Sequence, residues 1–396
     1  MNLLYISPMV IDYDNLDGVA RKILFQKEAF EKFAGKNSVY LASYFGDGGF
    51  RVVGENRNTE IQYSKKGSRQ LELLEIYPQI PAVCDELRIK AVYFRIFALS
   101  WASDKMFNEL KKRGIRIAVE IPTYPFWKEK WMDVLDKARR ASMPTALKRT
   151  ISNIVYYCYA KRLKKCVTTI VTFSDIKELW GVPVTGITNG YNFGSLAREK
   201  PLKAAGEDLH LLMVATVRNN HGADRVIKGL SEYINENKGR NVFFHIVGDG
   251  DAVPQLKKLI CSLGNVDKNV IFHGFISGSE LEKIYEIGDV GISTIGFHRL
   301  GVYYASPLKS KEYFAKGLPV VGTTVEHDIF ASKSKRFYLA FPEDDTNIDI
   351  TEICTFYEKL EKQGSTNQMI AGTASDDFSW ENIMQPVYEK LKGESY

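Results

Sequence analysis

The sequence predicts an α/β chain built from two doubly wound domains with parallel sheets. Three observations carry this. At 396 residues the chain is long for a single core and suits two domains of ordinary size. Short apolar runs alternate with helix-like segments along its length, the pattern of a parallel sheet wound by crossover helices. After a polar stretch near residue 200, the same pattern starts again.

In the first half, Leu3 to Ser7 reads as a buried strand, Pro8 to Gly18 as a loop, and the chain from Val19 as a helix turning Ile23, Leu24, Phe30 and Phe33 inward. A strand, a glycine-bearing loop and a helix make a mouth where backbone N–H groups can approach an anion, with Gly18 at the closest point, although many such turns only connect elements. Asp12, Tyr13 and Asp14 have the spacing of an acidic metal-binding pair. Their place directly after a strand suits an Asp-rich turn better, and the same holds for Asp249, Gly250 and Asp251, so no metal site is expected. Val39–Ser43, Ala91–Ile96 and Ile115–Ile121 read as further strands, with helices over Ser68–Glu75 and Ser103–Arg113. Val167–Phe173 and Val182–Thr188 follow as strands, Ser174 and Asp175 capping a short helix over Ile176–Trp180 between them. The Asn189–Asn192 turn and the polar Ser195–Gly206 close the first domain. The expected division is residues 1–194, 195–376 and a final helix within 377–396.

Charge is unevenly spread. Residues 1–200 hold 32 Lys and Arg against 21 Asp and Glu, net +11, and residues 201–396 hold 21 against 27, net −6. The excess concentrates in 137–166, where Lys137, Arg139, Arg140, Lys148, Arg149, Lys161, Arg162, Lys164 and Lys165 occur without an acid, among Ile151, Ile154, Val155, Tyr156, Tyr157 and Tyr159. Such a basic helix can lie on an anionic membrane surface, each cation contributing about 1 kcal/mol; the alternative is a core-facing apolar side under solvated charges. No nucleic-acid motif is present, and the acidic second half argues against a nucleic-acid track. The five cysteines, Cys84, Cys158, Cys166, Cys261 and Cys354, never pair as C-x-x-C and read as buried thiols in a reducing compartment. The N-terminal apolar run is too short for a signal peptide, and no segment is apolar for long enough to span a bilayer. A cytoplasmic protein, peripheral on the inner face of the plasma membrane, is the expectation.

In the second half, Leu209–Val217 restarts the sheet and runs into Arg218, Asn219, Asn220, His221 and Gly222, with a helix over Ala223–Glu236. Arg218 is well placed for a pyrophosphate. Asn241–Val247 leads into Gly248, Asp249 and Gly250, and Val270–Phe272 into His273, Gly274, Phe275 and Ile276, whose backbone can pair with a nucleobase edge. His273 reads as structural. A helix over Ser279–Ile287 and a strand over Asp289–Ile295 precede the most informative stretch, Ser306–Val321. There Pro307 starts a helix with Leu308, Tyr313 and Phe314 on its inner face, Gly317 ends it, and Pro319 to Val321 enters a buried strand. Lys309 and Glu312 sit three apart in the first turn, placed to face one cleft, the lysine towards a phosphate and the glutamate towards a hydroxyl pair. The alternative is a solvated pair on an ordinary connecting helix.

Arg218 with His221 and Gly222, Val247 to Gly250, Phe272 to Phe275, and Pro307 to Val321 together resemble the GT-B fold glycosyltransferases, and within them the retaining family 4 type, glycosyl transferases group 1, of bacterial polysaccharide biosynthesis. Asn189 and Gly190 are similar to the turn ending the family's first domain, and Phe378, Ser379 and Trp380 to the start of its closing helix. The resemblance implies two Rossmann-like doubly wound domains facing each other across a cleft, and a nucleoside-diphosphate sugar as donor. It implies that Glu312 grips the donor ribose, Pro307 and Leu308 present helix-start backbone to the phosphates, Arg218 holds the pyrophosphate, and Gly18 lies under the phosphates. His221 stands where the family usually has a lysine, which leaves Lys309 as the second cation. Tyr304 stands where the family has a sugar-reading glutamate, and Pro122, Thr123 and Tyr124 where it has a first-domain histidine. The loop from Glu120 to Trp127 reads equally as an acceptor-sugar platform and as a cap over the core. The implied activity is metal-independent transfer of a sugar to a glycan or lipid-linked acceptor, without a cofactor. A nucleotide-sugar epimerase of the same fold, or a scaffold that binds without catalysis, are the alternatives.

Overall fold

The computed structural model describes residues 1–13, 18–121, 143–174, 176–194, 200–236 and 239–393, the side chains of 143–149 and 152 excepted. Several expectations lie outside the described residues: Asp14 in the acidic turn, Pro122–Trp127, the capping Asp175, the start of the polar linker, and the side chains of Lys137, Arg139, Arg140, Lys148 and Arg149. The chain packs as two units, Met1–Thr188 with Trp380–Tyr396, and Asn189–Ser379.

The first unit is organised on nine strands: β1 (Leu3–Ile11), β2 (Val39–Phe45), β3 (Phe50–Gly54), β4 (Arg57–Glu60), β5 (Ala91–Arg95), β6 (Arg116–Ile121), β7 (Thr169–Thr172), β8 (Glu178–Leu179) and β9 (Val182–Gly186). They lie in the order β4-β3-β2-β1-β5-β6-β7-β9-β8. The strands from β2 to β7 and β9 in that row run parallel, while β3, β4 and β8 pair antiparallel at the edges. Alternate residues of β1 serve opposite faces, as the two-residue period requires. Leu4 and Ile6 join one core with Leu73, Phe107 and Tyr156, and Leu3 and Tyr5 join another with Ile23, Phe30, Trp380 and Met384. The second of these cores holds the Gly18–Ala34 and Trp380–Lys392 helices against the sheet.

β1 does not stop at Ser7, as expected, but continues to Ile11. Its register against β2 shifts between Ser7 and Val10, so Pro8, which has no N–H to donate, sits in a bulge. Ser43 Oγ, at 2.7 Å from Ser7 O and 2.8 Å from Met9 O, satisfies the carbonyls of this irregular stretch.

The second unit has six strands, β10 (Leu209–Val214), β11 (Val242–Val247), β12 (Val270–Gly274), β13 (Val290–Ile292), β14 (Val320–Thr323) and β15 (Tyr338–Phe341), all parallel, in the order β12-β11-β10-β13-β14-β15. The order reverses between β10 and β13. In such sheets a crevice opens at that point, outside the carboxyl ends of the strands. β13 is shorter than expected because Ile295 has left the sheet, its N–H donating to His221 O at 3.2 Å. The helices Val253–Leu263, Ile350–Lys362 and Asn367–Phe378, together with β15, carry no motif that announced them.

Two further expectations are corrected: the short helix expected over Ile176–Trp180 is replaced by a strand, Glu178–Leu179 pairing as β8 with β9, and the cysteines are not all buried. Cys158 and Cys261 are exposed, and only Cys84, Cys166 and Cys354 are buried thiols. Cys158 lies on a helix face turned from the core, and Cys261 on the outer side of a connecting helix whose buried residues are Leu256 and Ile260. Among the described residues, no helix is long and apolar enough to cross a membrane.

Candidate functional site at the carboxyl edge of the second sheet

The chain leaves β10 through a tight turn. Arg218 precedes a short helical turn over Asn219–His221, and its backbone N–H donates to His221 Nδ1 at 3.2 Å. Gly222 follows at φ 75°, a left-handed conformation, and a Cβ there would lie 2.7 Å from Ile295 Cγ1, so the residue must be glycine on both counts. This fold of the turn leaves the Arg218 guanidinium exposed. Among the described residues no carboxylate is in ion-pair contact with it.

The helix expected near Pro307 spans Leu308–Ala315. Pro307, at φ −68° and ψ 141°, precedes the helix as its extended cap rather than forming its first turn. Tyr313 and Phe314 are buried, but Leu308 is 40% exposed and does not join the inner face, because it stands at the open end of the helix. The first N–H groups of any helix lack partners within it and carry its positive pole. Tyr313 anchors the helix: its ring lies on Gly291 of β13, and its hydroxyl accepts from Val214 N at 2.8 Å.

Lys309 sits in this first turn. Its Nζ is buried without a hydrogen-bond partner among the described residues. Burial pushes its pKa down to about 8, with Glu326 and Glu312 pulling the other way. His221 is pushed down to about 4, first by burial and then by the charges of Lys309 and Arg218. The three groups therefore share one electrostatic neighbourhood, in which His221 is neutral at pH 7 and Lys309 and Arg218 supply the positive charge.

Glu312 is half-buried one turn further on. Burial raises its pKa, while the Tyr285 hydroxyl, Lys316 and Lys309 oppose the rise. Its surroundings are thus the Gly278–Ile287 helix, which carries Tyr285 and Glu282, as well as Lys309. Tyr304 is 41% exposed and its ring stacks on His327, with centroids 5.2 Å apart and planes 11° from parallel. Gly274 ends β12 at φ 68°, its carbonyl accepting from Gly248 N at 2.7 Å, and Phe275 beside it is 82% exposed. Gly18 belongs to the first unit, where it opens the Gly18–Ala34 helix with no atom of the described residues within 4 Å of a Cβ position.

Sequence reasoning missed Glu326. It is fully buried beneath the Leu308 helix, accepting from Ser293 Oγ at 2.7 Å and Ser310 Oγ at 2.5 Å. Lys311, also fully buried, lies 2.6 Å from Asp328 Oδ2. A charged pair at 326–328 directly after a buried strand was the available signal, since charges there are seldom placed without partners. Arg299 was missed as well; only its place on the loop before Pro307 hinted at a role. His273 Nε2 lies 2.9 Å from His245 Nδ1, whose own Nε2 lies 2.9 Å from His210 Nδ1. Among the described residues no group of three or more His, Cys, Asp or Glu side chains could hold a metal ion.

Two Rossmann-like units are the parts of the GT-B fold, and solved structures show that fold. A glycosyltransferase from Rickettsia africae is 14% identical, with 100% of both chains covered and a TM-score of 0.56. A sucrose-phosphate synthase from Thermosynechococcus elongatus gives the same identity, coverage and score. The Anabaena protein HepE in complex with UDP is 12% identical over 99% of this chain and 100% of its own, with a TM-score of 0.54. Residues 208–357 match the family described as Glycosyl transferases group 1. The chain therefore has the GT-B fold, and its second unit carries a domain of that glycosyltransferase family. No curated protein sequence matches it.

Proposed function

We propose that the protein is a retaining glycosyltransferase that moves a sugar from a nucleoside diphosphate to a glycan or lipid-linked acceptor, in the assembly of a cell-surface polysaccharide. The observation that carries this is the buried ammonium of Lys309, without a hydrogen-bond partner among the described residues, at the mouth of the Leu308–Ala315 helix, in the same neighbourhood as the exposed Arg218. A donor diphosphate seated there receives two cations and a helix N-terminus, which stabilise the charge that grows on it as the bond to the sugar breaks. Because side chains supply this charge, the reaction needs no metal ion in this reading. Glu312 holds the ribose hydroxyls, the Gly274–Phe275 backbone the base, and Tyr304 faces the sugar. HepE has been solved with UDP and with UDP-glucose, which supports a nucleotide-sugar donor of this kind.

The reading places the protein at the inner face of the plasma membrane. In support, Ile151, Ile154, Val155 and Tyr157 are exposed on the Met143–Ala160 helix, in a stretch that carries only basic charges.

Thermal unfolding with UDP, GDP and dTDP tests the donor site. One of them at 100-fold its Kd should add about 2.7 kcal/mol. Arg218→Ala and Glu312→Ala should fold and lose most transfer, with activity indifferent to EDTA. Full turnover in both variants would refute the site. Binding with no transfer to any acceptor would instead mark a nucleotide-binding scaffold.

A further inference from the structure

Arg299 stands on the Phe297–Leu300 turn after β13, and its guanidinium reaches over the point where the strand order of the second sheet reverses. Nη1 donates to Asn219 O at 2.7 Å, Asn219 Oδ1 at 3.0 Å and Asp224 Oδ1 at 2.8 Å. Nη2 donates to Asp224 Oδ2 at 2.9 Å and Asp345 Oδ1 at 2.6 Å, and Nε to the same Asp345 oxygen at 2.8 Å. Asn219 is the chain neighbour of Arg218, and Asp224 lies in the first turn of the Ala223–Asn235 helix. Both ends of the turn that presents Arg218 and His221 are thereby tied to the turn after β13.

The backbones of the two turns also meet. A Cβ on Gly296 would lie 2.9 Å from Asn220 O, and His221 O accepts from Ile295 N. Beneath them the fully buried Arg225 donates to the carbonyls of Ile295, Thr346 and Pro342. The loops after β10, β13 and β15 thus form one stitched rim. Arg218 itself has no ion pair among the described residues, so its place is set by the turn that carries it. Arg299 is held by two carboxylates, Asp224 and Asp345, and has no spare charge for a ligand.

We propose that Arg299 is a positioning residue for Arg218: its planar fork locks the turn after β10 to the turn after β13, so that the Arg218 guanidinium is presented in one place to an incoming diphosphate. This rests on the reading of Arg218 as a diphosphate cation. A lysine cannot replace Arg299, because a single ammonium cannot serve Asn219, Asp224 and Asp345 together.

The test is a double-mutant cycle read by calorimetric titration with inorganic pyrophosphate, on wild type, Arg299→Gln, Arg299→Lys, Arg218→Ala and Arg218→Ala/Arg299→Gln. Arg299→Gln and Arg299→Lys should each weaken binding about tenfold in the wild-type background, and Arg299→Gln less than twofold once Arg218 is alanine. Pyrophosphate binding by Arg299→Gln equal to wild type overturns the inference, as does a loss of the same size in both backgrounds, which would mark a merely structural residue. If Arg218→Ala binds pyrophosphate as wild type does, the diphosphate role of Arg218 is itself refuted and the inference falls with it. Should Arg299→Gln fail to fold, Asp345→Ala removes an exposed carboxylate of the fork, which also lies 3.1 Å from His298 Nε2, and the same dependence on Arg218 is expected.

Discussion

Ser310 Oγ donates to Glu326 Oε2 at 2.5 Å, which pins a fully buried carboxylate under the first turn of the Leu308–Ala315 helix. Burial pushes the Glu326 pKa up to about 7, although Lys311, Ser310 and Ser293 all favour the ionised form. The folded pKa stands above the unfolded one, so the folded state holds the proton more tightly. The resulting stability is fully present below the unfolded pKa, near 4.3, and is lost as pH rises through about 7, a swing of roughly 4 kcal/mol. Glu326→Gln should remove that slope. Urea unfolding of both proteins from pH 4 to 8 measures it, and parallel curves would show that Glu326 is not the titrating group.

Lys309 carries the opposite sign. Its pKa is depressed to about 8, first by burial, so its contribution is present above the unfolded value near 10.4 and is lost as pH falls through about 8. At pH 7 the charged lysine therefore strains the fold. Lys309→Met should stabilise the second unit by about 1–3 kcal/mol and weaken pyrophosphate binding at least about tenfold. Unfolding and calorimetry read the two effects separately. A variant that is less stable, or that binds as wild type does, would show that the ammonium is not held unpaired for an anion.

What could be read from the sequence was whatever the backbone pattern itself demands. Tyr313, Phe314, Gly317 and Val320 repeat the spacing of a helix that packs inward, stops on a left-handed glycine and enters a strand, and the structure has each in that place. Leu308 misled because an apolar residue at the open end of a helix follows the same spacing without a core to meet. Pro8 misled because a bulge can carry a proline through a central strand, and a bulge has no sequence period. That Arg218 follows a strand and that Lys309 and Glu312 lie on a helix opening after Pro307 was legible from the local pattern. Glu326 and Arg299 were not, since their partners, Ser293, Ser310, Asp224 and Asp345, are brought to them only by the winding of the sheet.

The Tyr313–Gly291 contact predicts a strong local effect. A Cβ on Gly291 would lie 2.3 Å from Tyr313 Cγ, and Tyr313 also holds Val214 N, so the ring cannot move without releasing β10. Gly291→Ala should cost about 1–3 kcal/mol by overpacking and tilt the helix that carries Lys309 and Glu312. Reduced urea stability together with weaker nucleotide binding is expected. Gly291→Ala/Tyr313→Phe should not recover stability, because the clash is with the ring carbons; recovery would place the strain at the hydroxyl instead.

The proposed membrane attachment makes the last prediction. Ile151, Ile154 and Val155 fall within one side of the Met143–Ala160 helix and are 54%, 55% and 40% exposed, while Tyr156 and Ala160 on the other side are buried. Burying an exposed isoleucine in a bilayer interface is worth about 1.5–3 kcal/mol at most, and the neighbouring cations Lys161, Lys164 and Lys165 each add about 1 kcal/mol on an anionic surface. Arg162 is not counted, because it is paired with Asp104 at 2.8 Å. Ile154→Glu removes apolar contact and adds repulsion, so it should lower binding to phosphatidylserine-containing vesicles by about tenfold or more, with little change in stability. Binding by the unmodified protein should fall as salt rises, because the Debye length shrinks from about 10 Å at 0.1 M towards 3 Å at 1 M. Sedimentation with vesicles measures both. Equal binding to neutral and anionic vesicles, or no effect of Ile154→Glu, would leave this helix face as ordinary surface.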